Sequence, residues 1–242
     1  MKKVFAFVLS ALLLVITGCG NSNNSNSVTE SVDTDTTEVV STTTETETDG
    51  GTTEESVKEQ IPDKLSDKYA DLDNRSFKYN GKIMTFGVST LQDFLDAGAE
   101  LDPVTGKGET NYDIHYPYKF MGIYPYDCVE YHLDIEEGSE ECKMQICFMN
   151  PTGEDIAIRD CVLGRIDFNF MGCEKLPSCL EFSFDKAVTI EEMIENSGEP
   201  TYKDDDEVSF TEVSKTFNTQ ESGYSFVIQN SQIQRMRIDW LP

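Results

Sequence analysis

VSTLQDFLDAG, at residues 88–98, returns a hundred positions later as VTIEEMIENSG, at residues 188–198. In each copy a threonine, Thr90 or Thr189, stands just before an apolar residue, with an acid, Asp93 or Glu192, three positions on. That is the spacing of a capping box, in which the threonine oxygen and the acid satisfy backbone N–H groups at a helix start. Leu91, Phe94 and Leu95 form one stripe at i, i+3, i+4, and Ile190, Met193 and Ile194 form another, so each segment reads as a short amphipathic helix. Gly98 and Gly198 supply the left-handed residue that ends it.

Strand periodicity follows each helix. Cys142, Met144, Ile146 and Phe148 alternate with Lys143, Gln145, Cys147 and Met149, the period of a strand with one face on a core. Val129, Tyr131, Leu133 and Ile135 show the same period, as do Val162, Gly164, Ile166 and Phe168. EEGSEE at 136–141 reads as the turn between the first two. After the second helix come SFTEVSKTF, GYSFVIQN and QIQRMRIDW, three more strands. The expectation is an α+β fold, two repeats of a short helix followed by a three-stranded antiparallel meander, over about 75–175 and 176–242.

A short helix ending in GEP at 198–200, then a loop and three strands, twice over, resembles the tandem helix-plus-meander modules of the beta-lactamase-inhibitor-protein-like superfamily, which also includes small outer-membrane assembly lipoproteins. The stretch FKYNGKIMTFGVSTLQDFLDAG at 77–98 is similar to segments of lipoproteins from Gram-positive anaerobes. The resemblance implies protein binding rather than catalysis, and it carries no functional residue across.

The chain's address is read at its start. Lys2 and Lys3 precede an apolar run from Val4 to Ile16, shorter than the ~20 residues of a spanning helix. The run ends in Ile16-Thr17-Gly18-Cys19, which resembles the lipobox of bacterial lipoproteins. The resemblance implies a signal peptide over 1–18, a diacylglycerol on Cys19, and a location on the outer face of the bacterial cytoplasmic membrane. Residues 19–60 are Asn, Ser, Thr, Asp and Glu with little that is apolar, too little to offset the ~1 to 2 kcal/mol per residue that ordering a backbone costs. They read as a disordered acidic Ser/Thr-rich tether, leaving 61–242 as the folded extracytoplasmic region.

Ten of the 45 acidic residues and three of the 19 basic ones lie before residue 61, so the folded part carries 35 against 16, a net charge of −19. Such a surface excludes nucleic acid as a natural partner. The catalytic inventory is thin. His115 and His132 are the two histidines, no Gly-x-Ser-x-Gly occurs, and TGKGET at 105–110 lacks the spacing of a phosphate loop. No cofactor and no metal site is expected. Asp204, Asp205, Asp206 and Glu207 offer oxygen ligands for Ca²⁺, but without the alternating ligands and turn glycine of a dedicated loop, and they read as an exposed loop. NYDIHYPYKFMGIYPYD at 111–127 places Tyr112, Tyr116, Tyr118, Tyr124 and Tyr126 around Pro117 and Pro125. Tyrosines offer wide amphipathic area with little rotamer entropy to lose, so they are the candidate partner-binding residues, the alternative being that they cover the sheet. With Cys19 lipidated, six cysteines remain, and an even count in an exported chain points to bridges. The pairs in view are Cys173 with Cys179 and Cys147 with Cys161, against free thiols. The function expected is a lipid-anchored, non-enzymatic protein-binding module, the rivals being a carboxylate-dependent glycan hydrolase and a small-ligand receptor.

Overall fold

Both capping boxes form as spaced. In a computed structural model that describes residues 60–116, 128–135, 143–152, 154–171, 173, 175–217 and 219–242, the Thr90 oxygen accepts from Asp93 N at 3.3 Å while Asp93 accepts from Thr90 N at 2.7 Å. Thr189 and Glu192 make the same exchange at 3.1 and 2.8 Å, and the Thr189 N–H holds the Glu192 carboxyl below the usual carboxylate range. Cys19, Tyr118, Tyr124, Tyr126 and the 136–141 turn lie outside the described residues, which fall within one compact unit, Glu55–Pro242.

In chain order the elements are β1 Ser76–Tyr79, β2 Lys82–Thr85, α1 Leu91–Asp96, β3 Leu101–Pro103, β4 His115–Tyr116, β5 Val129–Asp134, β6 Lys143–Met149, β7 Ile156–Ala157, β8 Val162–Asn169, β9 Leu180–Glu181, α2 Ile190–Ser197, β10 Tyr202–Lys203, β11 Glu207–Val213, β12 Glu221–Gln229 and β13 Gln232–Asp239. An eight-stranded sheet runs in the order β10-β11-β12-β13-β8-β6-β5-β3, beside a three-stranded sheet β2-β1-β9 and a two-stranded pair β4-β7.

This corrects the α+β expectation of two helix-plus-meander repeats. The fold is mostly β: among the described residues, thirteen strands stand against two helices of six and eight residues. The two sets of strands are not separate modules, because β13 pairs with β8 antiparallel, Ile238 opposite Ile166 and Met236 opposite Phe168, and so joins them in one sheet. The three-stranded sheet arises from a hairpin that the helix echo overshadowed. Asn80 and Gly81 both take positive φ, at 48° and 80°, the Asn-Gly turn whose twist matches two flanking strands.

The main core gathers Phe77, Phe86, Leu91, Phe94, Tyr131, Phe148, Ile166, Phe168, Met193 and Phe226, each 2% exposed or less. Its aromatic spine steps from Phe77 to Phe182 (5.3 Å), Phe184 (5.2 Å) and Phe226 (5.2 Å between ring centres), so the small sheet is keyed to the large one through rings. A bulge shapes the last strand. Pairing slips between Val227 and Ile228, leaving Gln234 without a partner in register. One extra residue reverses the side on which the following residues fall, and Ile233, Met236 and Ile238 are all buried. Strict alternation would place Ile233 on the opposite face from the other two, and the bulge brings all three to the core.

The other sheet face carries two polar rows that cross the strands. One is Arg237, Asp167, Gln145 and His132; the other is Asp239, Arg165, Cys147 and Glu130. Asp167 accepts from Arg235 Nε at 2.8 Å and Nη2 at 2.6 Å, and from Arg237 at 3.0 and 2.6 Å. Burial raises the Asp167 pKa, yet these donors outweigh it and hold the carboxyl below its ordinary value. At Asp239 the balance reverses, since burial outweighs Arg165 and lifts the pKa. A depressed carboxyl stabilises the fold fully above its unfolded pKa of about 3.9 and loses that contribution as pH falls through the lower folded value. Asp167→Asn is therefore expected to cost about 1 to 3 kcal/mol at neutral pH and to flatten the fall of the urea midpoint below about pH 4. Equal acid slopes in wild type and variant would refute the assignment.

Candidate functional site

Trp240 forms one wall of an open groove. Its ring lies against Gly87, where a Cβ would sit 2.3 Å from the indole, and Gly87 takes φ +76°, so a side chain there would both clash and strain the turn. The turn is tied to the sheet by Gly87 N to Leu163 O, and the tryptophan by its backbone N–H to Gly164 O, each 2.8 Å. Leu72, Phe86, Val213 and Leu241 complete the apolar lining of a cavity of about 320 Å³.

At the floor is Arg75, 5% exposed. One guanidinium nitrogen, Nη1, donates to Ser222 Oγ (3.0 Å) and to the Asp239 carbonyl (3.1 Å), and Nη2 pairs with Glu212. Nε is buried and has no partner, and neither does the buried hydroxyl of Thr85. Buried polar groups are nearly always satisfied, and each exception calls for an account. Both residues line the groove, but the two atoms themselves are buried beneath it, and Arg159 Nε, away from the groove, is a third such case among the described residues.

Beside the groove the sheet has an open edge. β10 pairs with Val208 and Ser209 of β11, and Thr201 extends the contact by accepting from the Thr211 N–H at 3.1 Å, so residues 212–213 run on past it, and Val213 is 54% exposed. Arg75 stands just before β1 in an otherwise acidic and polar stretch. Nothing local marks it, because its importance comes from Ser222, Asp239 and Glu212, all more than a hundred positions away.

The described residues singled out from sequence are dispersed. Tyr112 is half-buried against the core, edge-on to Tyr131 at 5.8 Å, and burial, with Asp102 nearby, holds its phenol above the ordinary value. Tyr116 lies in β4, half-buried, its carbonyl accepting from Asn150 at 2.9 Å. His115 and His132 lie in different sheets. Asp204 accepts from the N–H groups of Asp206 and Glu207 at 2.9 and 2.7 Å and from the Tyr202 hydroxyl at 2.9 Å, closing its own turn.

The expected disulfide pairings are corrected. Cys147, Cys161 and Cys179 carry free thiols, as does Cys128. Cys147 and Cys161 belong to different apolar clusters, Cys161 to the main core and Cys147 to a small one with Cys128, Met149 and Leu241, so they cannot meet. Cys179 directs its thiol to the Ile135 carbonyl at 3.5 Å. Cys173 is disulfide-bonded, and since the other described cysteines are free, its partner lies outside the described residues.

Comparison with family models, with curated proteins and with solved structures finds no match to this chain. The fold and groove thus define only a class: an antiparallel β domain with an apolar groove built over a buried arginine.

Proposed function

We propose that this chain is a membrane-anchored extracytoplasmic lipoprotein, held through a diacylglycerol on Cys19, that binds another exported protein by receiving an extended segment at the β11 edge and in the Arg75 groove. The observation that carries the binding reading is the open groove itself, where Trp240, Leu72, Phe86 and the exposed Val213 line a cavity of about 320 Å³ beside the end of β11. Apolar side chains of the segment meet Trp240 and Val213, and its backbone groups pair with the end of β11 at residues 212–213, the mode of strand addition. The ITGC motif and the acidic tract after it support the address.

The test is crosslinked capture from native membranes by the full-length protein, tagged within residues 20–60 so that the groove stays clear. Wild type is expected to retain a discrete partner. Val213→Asp is expected to lower capture by a factor of ten or more, about 1.4 kcal/mol, with a melting point within a few degrees of wild type, because the site is exposed. Capture unchanged by this substitution would show that the groove is not the binding face. Cys19→Ala is expected to leave uncleaved precursor or to release the protein, and processing and retention like wild type would remove the anchor.

A further inference from the structure

Cys128, Glu130 and Cys147 place two thiol sulfurs and a carboxylate oxygen within 4.8 Å of one another, all in buried residues. Local geometry accounts for the convergence. Cys128 and Glu130 are two apart along the chain at the start of β5, hence on one face of the strand, and Cys147 stands opposite Glu130 in β6. The sheet itself therefore brings three donors to one spot.

We infer that Cys128, Glu130 and Cys147 form a binding site for a thiophilic divalent cation of the Zn²⁺ class. A tetrahedral Zn²⁺ with bonds of ~2.3 Å to sulfur and ~2.1 Å to oxygen sets its donors roughly 3.5 to 3.8 Å apart, so these atoms need only small movements to close on the ion. The carboxylate is fixed in place, since its two oxygens accept from Lys107 Nζ and Gln145 Nε2, each at 3.0 Å. Such outer contacts are what orient a metal ligand.

The charge balance favours a divalent ion. Glu130 is already paired with Lys107 Nζ at 3.0 Å, so the ion's charge has to be met by the two sulfurs. On binding, two S–H bonds break, two metal–sulfur bonds form and two protons leave to solvent, with no change in oxidation state. The two thiolates cancel the added 2+ charge, and the buried site stays neutral. Arg165, the register neighbour of Cys147, brings its own counterion, Asp239. Two protons released per ion make the apparent affinity fall about 100-fold for each pH unit lost where both thiols are protonated. Among the described residues the site has three protein donors, which leaves the fourth position of a tetrahedral ion to water or to another ligand.

The signal in sequence is slight. Cys-x-Glu occurs at 128–130, but the third donor is seventeen positions further on and is brought in by strand register. The acidic run at 204–207, whose oxygen donors lack the spacing of a calcium loop, closes a turn.

The test uses the full-length protein purified anaerobically without reductant, with Co²⁺ as a spectroscopic probe and Zn²⁺ as competitor. One Co²⁺ per chain is expected to give a near-ultraviolet thiolate charge-transfer band that equimolar Zn²⁺ abolishes. Cys128→Ser and Cys147→Ser are expected to lose the band, Cys161→Ser to keep it, and Lys107→Gln to weaken Zn²⁺ about 10- to 100-fold. In wild type, where folding is not in question, bound Zn²⁺ is expected to protect Cys128 and Cys147 from alkylation in mild urea and to leave Cys179 reactive. Absence of the charge-transfer band from wild type, its survival in both ligand variants, or equal protection of all four thiols would each overturn the site.

Discussion

Gly223→Ala is expected to unfold this domain or bring it to the edge of unfolding. Gly223 lies in β12 opposite Thr211 of β11, with φ at +152° and the neighbouring strand pressed against it. A Cβ there would stand 2.1 Å from the Phe210 carbonyl oxygen, 2.8 Å from the Thr211 Cα and 3.0 Å from a Leu72 methyl. Two of these are backbone atoms of a hydrogen-bonded strand, so no rotamer change relieves the contact and the β11–β12 pairing must open. Loss of about 4 kcal/mol or more is expected, which for a domain of this size lowers the melting point by roughly 8 to 16 °C. Gly81→Ala supplies the contrast: its φ is +80° but nothing lies within 4 Å of the added carbon, so only the backbone penalty of about 1 to 2 kcal/mol applies. If the two variants melt together, the close approach of β11 and β12 at this point is wrong. The groove shares the consequence, since Ser222, beside the glycine, and Leu72 both line it.

Phe94→Ala comes next in expected size. The ring is fully buried and meets Phe148 of the large sheet at 5.4 Å, Tyr79 of the small one at 5.9 Å and Phe77 at 6.3 Å. It is thus the joint through which a six-residue helix, too short to persist alone, is fixed to both sheets. Truncation removes the transfer energy of the ring and leaves a cavity that rigid aromatic neighbours cannot fill, a cost of about 3 to 5 kcal/mol. Urea denaturation measures it. A double-mutant cycle with Phe148→Ala is expected to show coupling of about 0.5 to 1.5 kcal/mol beyond area burial. Leu95→Ala, on the same helix but half-buried, is expected to cost clearly less, and parity between the two would mean that Phe94 does not bridge the sheets.

The Phe94 effect sits in the main core, while the proposed binding groove lies at a sheet edge and the proposed metal site on the sheet's other face. That separation lets the groove variant Val213→Asp and the metal variant Lys107→Gln be read as functional probes, because both residues are more than half exposed and surface changes away from caps and cores alter stability little.

What the amino-acid order determined by itself is local. A threonine and an acid three apart set each helix start, and both capping boxes form because every atom involved lies within four residues. Alternation in β5, β6 and β8 put Tyr131, Ile146 and Ile166 inward, since the period of a strand belongs to the strand alone. The hairpin at Asn80-Gly81 was equally local. The tertiary structure decided which strands are neighbours. Periodicity says which face of a strand is buried but not which strand lies beside it, so the pairing of β13 with β8, which turned two expected modules into one mostly β domain, had no signal in either segment. The same holds for the sites. Arg75 acquires its partners from residues 212, 222 and 239, and Cys147 acquires Glu130 on one side and Arg165 on the other, through backbone hydrogen bonds that are indifferent to the side chains they bring together.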